Sequence, residues 1–145
     1  MIKSFRGQLA DQEQLTIRLS TNDGLTGYKI SKFQIFPVTP GAVAQQSIVQ
    51  LYSKAPTSAS SAWGTVAFDN PLLLAAAYYQ DDANPSYPAS LVVVFDNVTF
   101  NQDIFITHLD DAVGEPCNYY LELEQVRLDL NEATVATLKD MRGTE

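Results

Sequence analysis

The sequence is poor in the residues that disulfides, zinc sites and phosphate-binding loops require. Cys117 is its only cysteine and His108 its only histidine. An intrachain disulfide is therefore impossible, and a zinc site of the usual Cys/His type cannot be assembled. The seven glycines are scattered singly, so no glycine-rich phosphate loop is present. We expect a protein that holds no cofactor and binds no small-molecule substrate.

Long hydrophobic runs are also absent. The longest apolar run, residues 72–79, is far shorter than the roughly 20 residues of a membrane helix. The first eight residues include basic side chains, but no apolar stretch of signal-peptide length follows them. We expect neither membrane insertion nor secretion, and a lone cysteine fits synthesis in a reducing cytoplasm.

Positive charge is scarce, and the balance of acidic and basic residues differs along the chain. Nine basic residues face seventeen acidic ones, for a net charge of −8. Residues 1–95 hold six acidic and six basic side chains, whereas residues 96–145 hold eleven acidic and three basic ones. The overall balance argues against binding of nucleic acid. The acidic last third is interpreted either as a solvated surface or as a face complementary to a neighbouring copy.

Apolar residues recur mainly at every second position, which is the period of a β-strand. Leu15, Ile17 and Leu19 alternate with polar residues and predict a half-buried strand. The following segment, residues 21–24, contains an Asp-Gly pair that favours a tight hairpin. Further strands are predicted over residues 26–36, 47–54, 66–68, 71–80, 91–95, 103–108 and 117–130.

Two of these strands change the parity of their apolar positions part-way along. The change falls near Ser31 and Lys32 in one strand and near Glu124 and Gln125 in the other. An extra residue at each point would keep the apolar side chains on one face of the sheet. The sequence therefore predicts two β-bulges.

Residues 131–142 predict a short closing helix. Asn131 is the candidate N-cap, and Arg142 lies near the C-terminal end. Thr134, Val135 and Thr137 are also compatible with a strand.

Many short strands separated by turns indicate an all-β fold, namely an antiparallel, jelly-roll-like β-sandwich with a short C-terminal helix, formed by residues 1–145 as a single domain. An immunoglobulin-like sandwich is the alternative. It favours a buried tryptophan on an early strand, whereas Trp63 lies beside the Ser-rich loop of residues 55–61.

The search for catalytic residues gives weak candidates. His108 shares the parity of the apolar residues before it, so it is interpreted as a histidine at the edge of the core. The adjacent carboxylates Asp81-Asp82 and Asp110-Asp111 are interpreted as surface turns, with a calcium site or a glycosidase pair as alternatives. We expect a protein that is not an enzyme.

Aromatic residues and the N-terminal segment are the candidate binding elements. Trp63, Tyr87 and the outward member of each adjacent tyrosine pair can serve as interface anchors, as sugar-stacking platforms or in cross-strand packing. Residues 1–9, with Ile2, Phe5 and Arg6, are predicted either as an arm that adds a strand to a neighbour or as an ordinary first strand.

Three segments carry a family resemblance. Residues 27–37 read GYKISKFQIFP, residues 100–108 read FNQDIFITH, and residues 118–140 read NYYLELEQVRLDLNEATVATLKD. They resemble small structural proteins encoded by tailed bacteriophages of marine bacteria. The resemblance implies a virion component assembled in the host cytoplasm, first a capsid decoration or cement protein and next a neck, tail or fibre part. It implies binding to capsid protein and to copies of itself, for example as a trimer, and it supplies no site residue.

Overall fold

The computed structural model describes residues 1–19, 24–40, 44–81, 89–95 and 98–142. Strands dominate, as the alternating sequence predicts. In chain order the elements are β1 (Ile2–Leu9), β2 (Gln14–Ile17), β3 (Thr26–Pro37), β4 (Gln45–Tyr52), a 3₁₀ turn (Ser60–Ala62), β5 (Leu73–Asp81), β6 (Ala89–Val94), β7 (Ile104–Asp110), β8 (Cys117–Arg127) and α1 (Leu130–Arg142).

The strands form two antiparallel sheets, ordered β1-β8-β3 and β2-β7-β4-β5-β6. The first strand pairs with the last, the second with the seventh and the fourth with the fifth. This nested pairing is that of one long hairpin rolled into two layers, which is the jelly-roll connectivity. The predicted jelly-roll-like sandwich with a C-terminal helix is confirmed.

The inner faces of the two sheets enclose the main hydrophobic core. Its fully buried members include Leu51, Ile106 and Leu121, and the largest fully buried side chain is that of Phe100. Burial of such side chains contributes about 1.5–3 kcal/mol each to the free energy of unfolding. Successive residues of a strand point to opposite faces, so each strand also presents a second set of side chains on the outer surface of the sandwich.

The structure confirms one of the two predicted bulges. The pairing of β3 with β8 shifts register between Ile30 and Lys32. At the second site the pairing is continuous, because Lys29 pairs with Glu124 and the next pair follows without a shift. The parity changes there because Val126 packs outside the main core, in a second cluster with Leu128 and two alanines of α1, Ala133 and Ala136.

Two local predictions are wrong. The strands on either side of residues 20–25 do not form a hairpin, because β2 and β3 belong to different sheets. Most of the predicted turn lies outside the described residues, although Gly24 has a φ of 67°. Residues 66–68 are not a strand. They belong to the long connection between β4 and β5.

Helix α1 has the predicted position, but a different cap. The backbone N–H of Glu132 donates to Asp129 Oδ1 at 2.7 Å, and the Asp129 N–H donates to Glu132 Oε1 at 3.3 Å. This reciprocal pair is a capping box, in which Asp129 and not Asn131 is the N-cap. In the described part of the chain no helix is long and apolar enough to cross a membrane.

Candidate assembly surface

The N-terminal segment has an internal partner. Residues 2–9 form β1 and pair along their whole length with β8, so this chain has the ordinary first strand and not a free arm. Alternation places Ile2 and Arg6 on the outer face, where both are exposed. Phe5 points inward and packs against the core, which makes it a poor contact for a partner.

Trp63 is not the exposed anchor that the sequence suggested. It lies in the β4–β5 connection with only 9% of its surface exposed. Its main-chain carbonyl accepts a hydrogen bond of 2.7 Å from Nε2 of the buried Gln50. The other predicted loop anchor, Tyr87, lies outside the described residues, as does Asp82.

The β4–β5 connection covers part of the outer face of the five-stranded sheet. Gln50 Nε2 also donates to the carbonyl of Thr65 at 3.2 Å, which fixes the connection over the centre of the sheet. At Gly64 a Cβ atom would lie 2.9 Å from Leu109 Cδ2, so a side chain there would force the two layers apart. The connection thereby buries the polar residues Gln50 and Thr107.

The part of this face that the connection leaves uncovered is an apolar groove of about 470 Å³. Its lining residues carry no charge: Ile48, Val66, Phe68, Ala76, Ala77, Tyr78, Leu91 and Val93. Phe68 is 56% exposed and Leu91 67% exposed. The Phe68 ring packs edge-on against Phe95, with centroids 5.2 Å apart. We call this groove, together with strand β6, the apolar patch.

Strand β6 gives the patch an edge. It is the outermost strand of the five-stranded sheet, and its sequence, ASLVVV, contains no charge and no proline. Val92, on the opposite side of the strand from the groove, is also 41% exposed. Edge strands usually carry charges, prolines or bulges that prevent association. A long uncharged edge is therefore a surface suited to pairing or packing with another protein.

A buried polar cluster lies at one end of the sandwich, around His108. The His108 Nδ1 atom is 2.9 Å from the Ala10 carbonyl oxygen, and its Nε2 is 3.2 Å from Ser47 Oγ. Because a carbonyl oxygen only accepts, Nδ1 is the donor in the first contact, and Nε2 lies within hydrogen-bonding distance of the Ser47 hydroxyl. Gln45 Nε2 donates to Ser47 Oγ at 2.6 Å. Ser47 and His108 have no exposed surface, so this pair stabilises the core and does not meet solvent.

Cys117 and Asp110 lie beside this cluster and are also buried. Burial raises the pKa of the Cys117 thiol to about 11, although a hydrogen bond with Ser47 acts in the opposite direction. The thiol is therefore protonated at neutral pH and unreactive. Burial alone would raise the pKa of Asp110, but backbone N–H donors, from Ala112, Gln46 and others, outweigh it and lower the pKa.

The hydrogen bonds of Asp110 show the structural role of the Asp110-Asp111 pair. Asp110 Oδ1 accepts the N–H groups of Gln46 and Ala112, and its Oδ2 accepts that of Glu115. The carboxylate thus closes the turn after β7. Asp110 is nevertheless buried and not a surface residue as predicted, whereas the neighbouring Asp111 is exposed. No group of three or more potential metal-ligating side chains occurs among the described residues.

Comparison with known proteins adds no assignment. The sequence matches no protein-family model and no curated protein. The candidate site therefore has to be chosen from the structure alone, and the apolar patch is the strongest candidate. The sequence did not predict this exposed surface. The sequence predicts an apolar strand over residues 91–95, but such a run is typical of a strand buried on both faces. The signal for exposure was the position of β6 at a sheet edge, which only the topology supplies.

Proposed function

We propose that this protein is a non-enzymatic structural subunit of a bacteriophage particle, a capsid decoration or cement protein that binds capsid protein and copies of itself. The apolar patch is the observation that carries the proposal. A chain of net charge −8 exposes an uncharged groove and an uncharged edge strand side by side. Exposed apolar surfaces of this kind mark sites of protein–protein contact.

The remainder of the molecule supports a rigid binding element. The jelly roll is a common scaffold of viral capsid domains, although this is an analogy at the level of the fold. The family resemblance of residues 27–37, 100–108 and 118–140 supplies the phage context. The one serine–histidine pair of the described chain has no access to solvent, which favours binding over hydrolysis.

The mode of contact follows from the two parts of the patch. An extended segment of a partner can add a strand to the free edge of β6, and its main-chain groups then supply hydrogen bonds. Leu91 and Val93 alternate with residues of the opposite face, so both point into the groove with Phe68 beside them. Apolar side chains of the partner would fill this groove and supply most of the binding free energy.

The test introduces charge into the patch. The double variant Leu91→Glu/Val93→Glu should reduce binding to empty capsids of the phage that encodes the protein by at least about tenfold, or about 1.4 kcal/mol. Binding is measured by co-sedimentation, and self-association by analytical ultracentrifugation. A variant with unchanged affinity for both partners would contradict the proposal.

A matched control adds the same charge elsewhere. Thr16 and Asn131 are exposed and lie outside the patch, so Thr16→Glu/Asn131→Glu should bind like the unmodified protein. Thermal unfolding of both variants verifies that they are folded. The same assay with purified tails tests the alternative role, that of a neck, tail or fibre component. A protein in that role should bind to tails but not to capsids.

A further inference from the structure

The outer face of the three-stranded sheet differs from the apolar patch in its chemistry. It presents two rows of side chains in register across β1, β8 and β3. One row contains Gln8, Asn118 and Phe36, and the other contains Arg6, Tyr120 and Gln34. We call these six residues the amide–aromatic face. It combines two aromatic rings with three neutral amides and one guanidinium.

Of the two adjacent aromatic rings, one is exposed and the other is partly exposed. Phe36 is 63% exposed, on the side of β3 that faces away from the core. Phe36 and Tyr120 lie on neighbouring strands, offset by two residues, and such diagonal pairs have Cα atoms about 7–8 Å apart. The Tyr120 hydroxyl donates to Glu122 Oε1 at 2.7 Å, which fixes the ring on the surface of the sheet. Both rings line a cleft of about 430 Å³ that extends toward Ser90 and Val92 of β6.

The amides around these rings have free hydrogen-bonding groups. Gln8 Nε2 donates to Asn118 Oδ1 at 3.3 Å, while the Asn118 amide nitrogen and the whole Gln34 amide have no partner among the described residues. Each amide offers both donors and an acceptor. Glu122 and Glu124 of β8 also lie on this outer face, each opposite a lysine of β3, Lys32 and Lys29.

We propose that the amide–aromatic face binds a neutral oligosaccharide. Sugar rings present apolar C–H faces, which stack on aromatic side chains, and hydroxyl groups, which donate and accept hydrogen bonds with amides. A purely apolar ligand would leave Gln34 and Asn118 unpaired on binding, which is unfavourable. An acidic polysaccharide would be repelled by the net charge of −8 of the whole chain.

This inference concerns residues other than those that carry the assembly function. The six residues of the amide–aromatic face lie on the three-stranded sheet, and although its cleft reaches Ser90 and Val92 of β6, Leu91 and Val93 line the groove on the other side of that strand. It also revises the sugar-binding alternative raised from the sequence. That alternative named Trp63, Tyr87 or an outward tyrosine of a strand. Trp63 is buried and Tyr87 lies outside the described residues. Tyr120 is an outward tyrosine of a strand that has a second aromatic ring, Phe36, beside it.

The test is a glycan array followed by isothermal titration calorimetry with the full chain. The probes are neutral cello- and galacto-oligosaccharides of about six sugar units, with polygalacturonate as the anionic comparison. Binding to a neutral oligosaccharide is expected. Phe36→Ala and Tyr120→Ala should each weaken it by about tenfold, and Phe36→Tyr should retain it because the ring is kept.

The control and the contrary outcomes are specific to this face. Leu91→Glu/Val93→Glu should leave sugar binding unchanged, whatever it does to capsid binding. Thermal unfolding verifies that the Phe36 and Tyr120 variants are folded. The inference is overturned if no neutral glycan binds, if binding survives Phe36→Ala/Tyr120→Ala, or if only the anionic polymer binds. Loss of capsid binding in the double alanine variant, with no glycan bound, would assign this face to a protein partner instead.

Discussion

At the scale of single residues, the polar groups buried at one end of the sandwich show how a core with few ionisable residues accommodates them. Asp110 is 5% exposed, yet its carboxylate accepts three backbone hydrogen bonds, the shortest of which is 2.7 Å, from Glu115. Its own N–H donates to Asp11 Oδ1 at 2.8 Å. Hydrogen bonds to a charged acceptor offset the cost of burying it.

Asp110→Asn should lower the free energy of unfolding at neutral pH by about 1–3 kcal/mol, because the amide replaces one acceptor with a donor that faces backbone N–H groups. Backbone hydrogen bonds hold the pKa of Asp110 in the folded protein below the ordinary value of an aspartate. Its ionisation therefore stabilises the fold above the unfolded pKa, and this stabilisation is lost as the pH falls through the folded pKa. Urea unfolding between pH 7 and pH 2 measures the effect.

The difference between wild type and Asp110→Asn should accordingly be constant at neutral pH and shrink in acid. Asp111→Asn is the control, since Asp111 is exposed and its side chain has no hydrogen-bond partner among the described residues. A pH-independent difference for the Asp110 variant would indicate that its effect comes from packing and not from the carboxylate.

At the scale of elements, helix α1 is attached to the sandwich by a small interface. Only Ala133 and Ala136 of its described side chains are buried, whereas Leu130, Val135 and Leu138 are exposed. The fully buried Asn101 strengthens this attachment. Its Nδ2 donates to Thr137 Oγ1 at 2.8 Å, to the Gly24 carbonyl at 3.0 Å and to the Ala133 carbonyl at 3.3 Å.

Asn101→Ala should therefore loosen α1 specifically. We expect a loss of about 1–3 kcal/mol in the free energy of unfolding, together with faster hydrogen exchange at the backbone amides of α1. Thr134→Ala on the same helix is the control, because the exposed Thr134 hydroxyl bonds only to the Leu130 carbonyl. Unchanged exchange in α1 of the Asn101 variant would show that the alanine contacts alone hold the helix.

At the scale of the whole molecule, the proposed self-association would balance two opposing forces. The net charge of −8 would repel two copies, whereas the apolar patch would attract them. Salt screens the repulsion, since the Debye length falls from about 10 Å at 0.1 M to about 3 Å at 1 M. Burial of apolar surface does not depend on such screening.

Self-association through the patch should therefore strengthen as sodium chloride is raised from about 0.05 M to about 0.5 M. Sedimentation equilibrium measures the association constant across this range. Leu91→Glu/Val93→Glu should remain dissociated throughout. An association that weakens with salt would instead point to ionic contacts, such as those available to the outer face of β1-β8-β3.

Much of the fold was predictable because its signals are local. The alternation over residues 103–108 predicts β7, and the parity change at Ser31 and Lys32 predicts the bulge that the pairing confirms. The failures have one physical cause. An Asp-Gly pair favours a turn both between strands that pair and between strands of different sheets. The parity change near Glu124 likewise has two possible causes, a bulge or a second packing cluster.

The candidate sites depended much more on tertiary structure. A tryptophan beside a serine-rich loop looks exposed, and only the packing of Gly64 against Leu109 shows why the β4–β5 connection lies close to the sheet with Trp63 buried. An apolar run such as β6 looks buried until the strand order places it at an edge. Which member of a tyrosine pair faces outward is likewise a matter of register.

The sequence alone determined the β-rich class, the helix after β8, the scarcity of reactive groups and the acidic last third, because these follow from composition and from the period of short segments. The tertiary structure decided that residues 2–9 pair with β8, that Ser47 and His108 are sealed from solvent, and that an apolar patch and an amide–aromatic face lie on opposite sheets. The physical reason is that exposure and proximity arise from contacts between residues far apart in the chain, which no local pattern encodes.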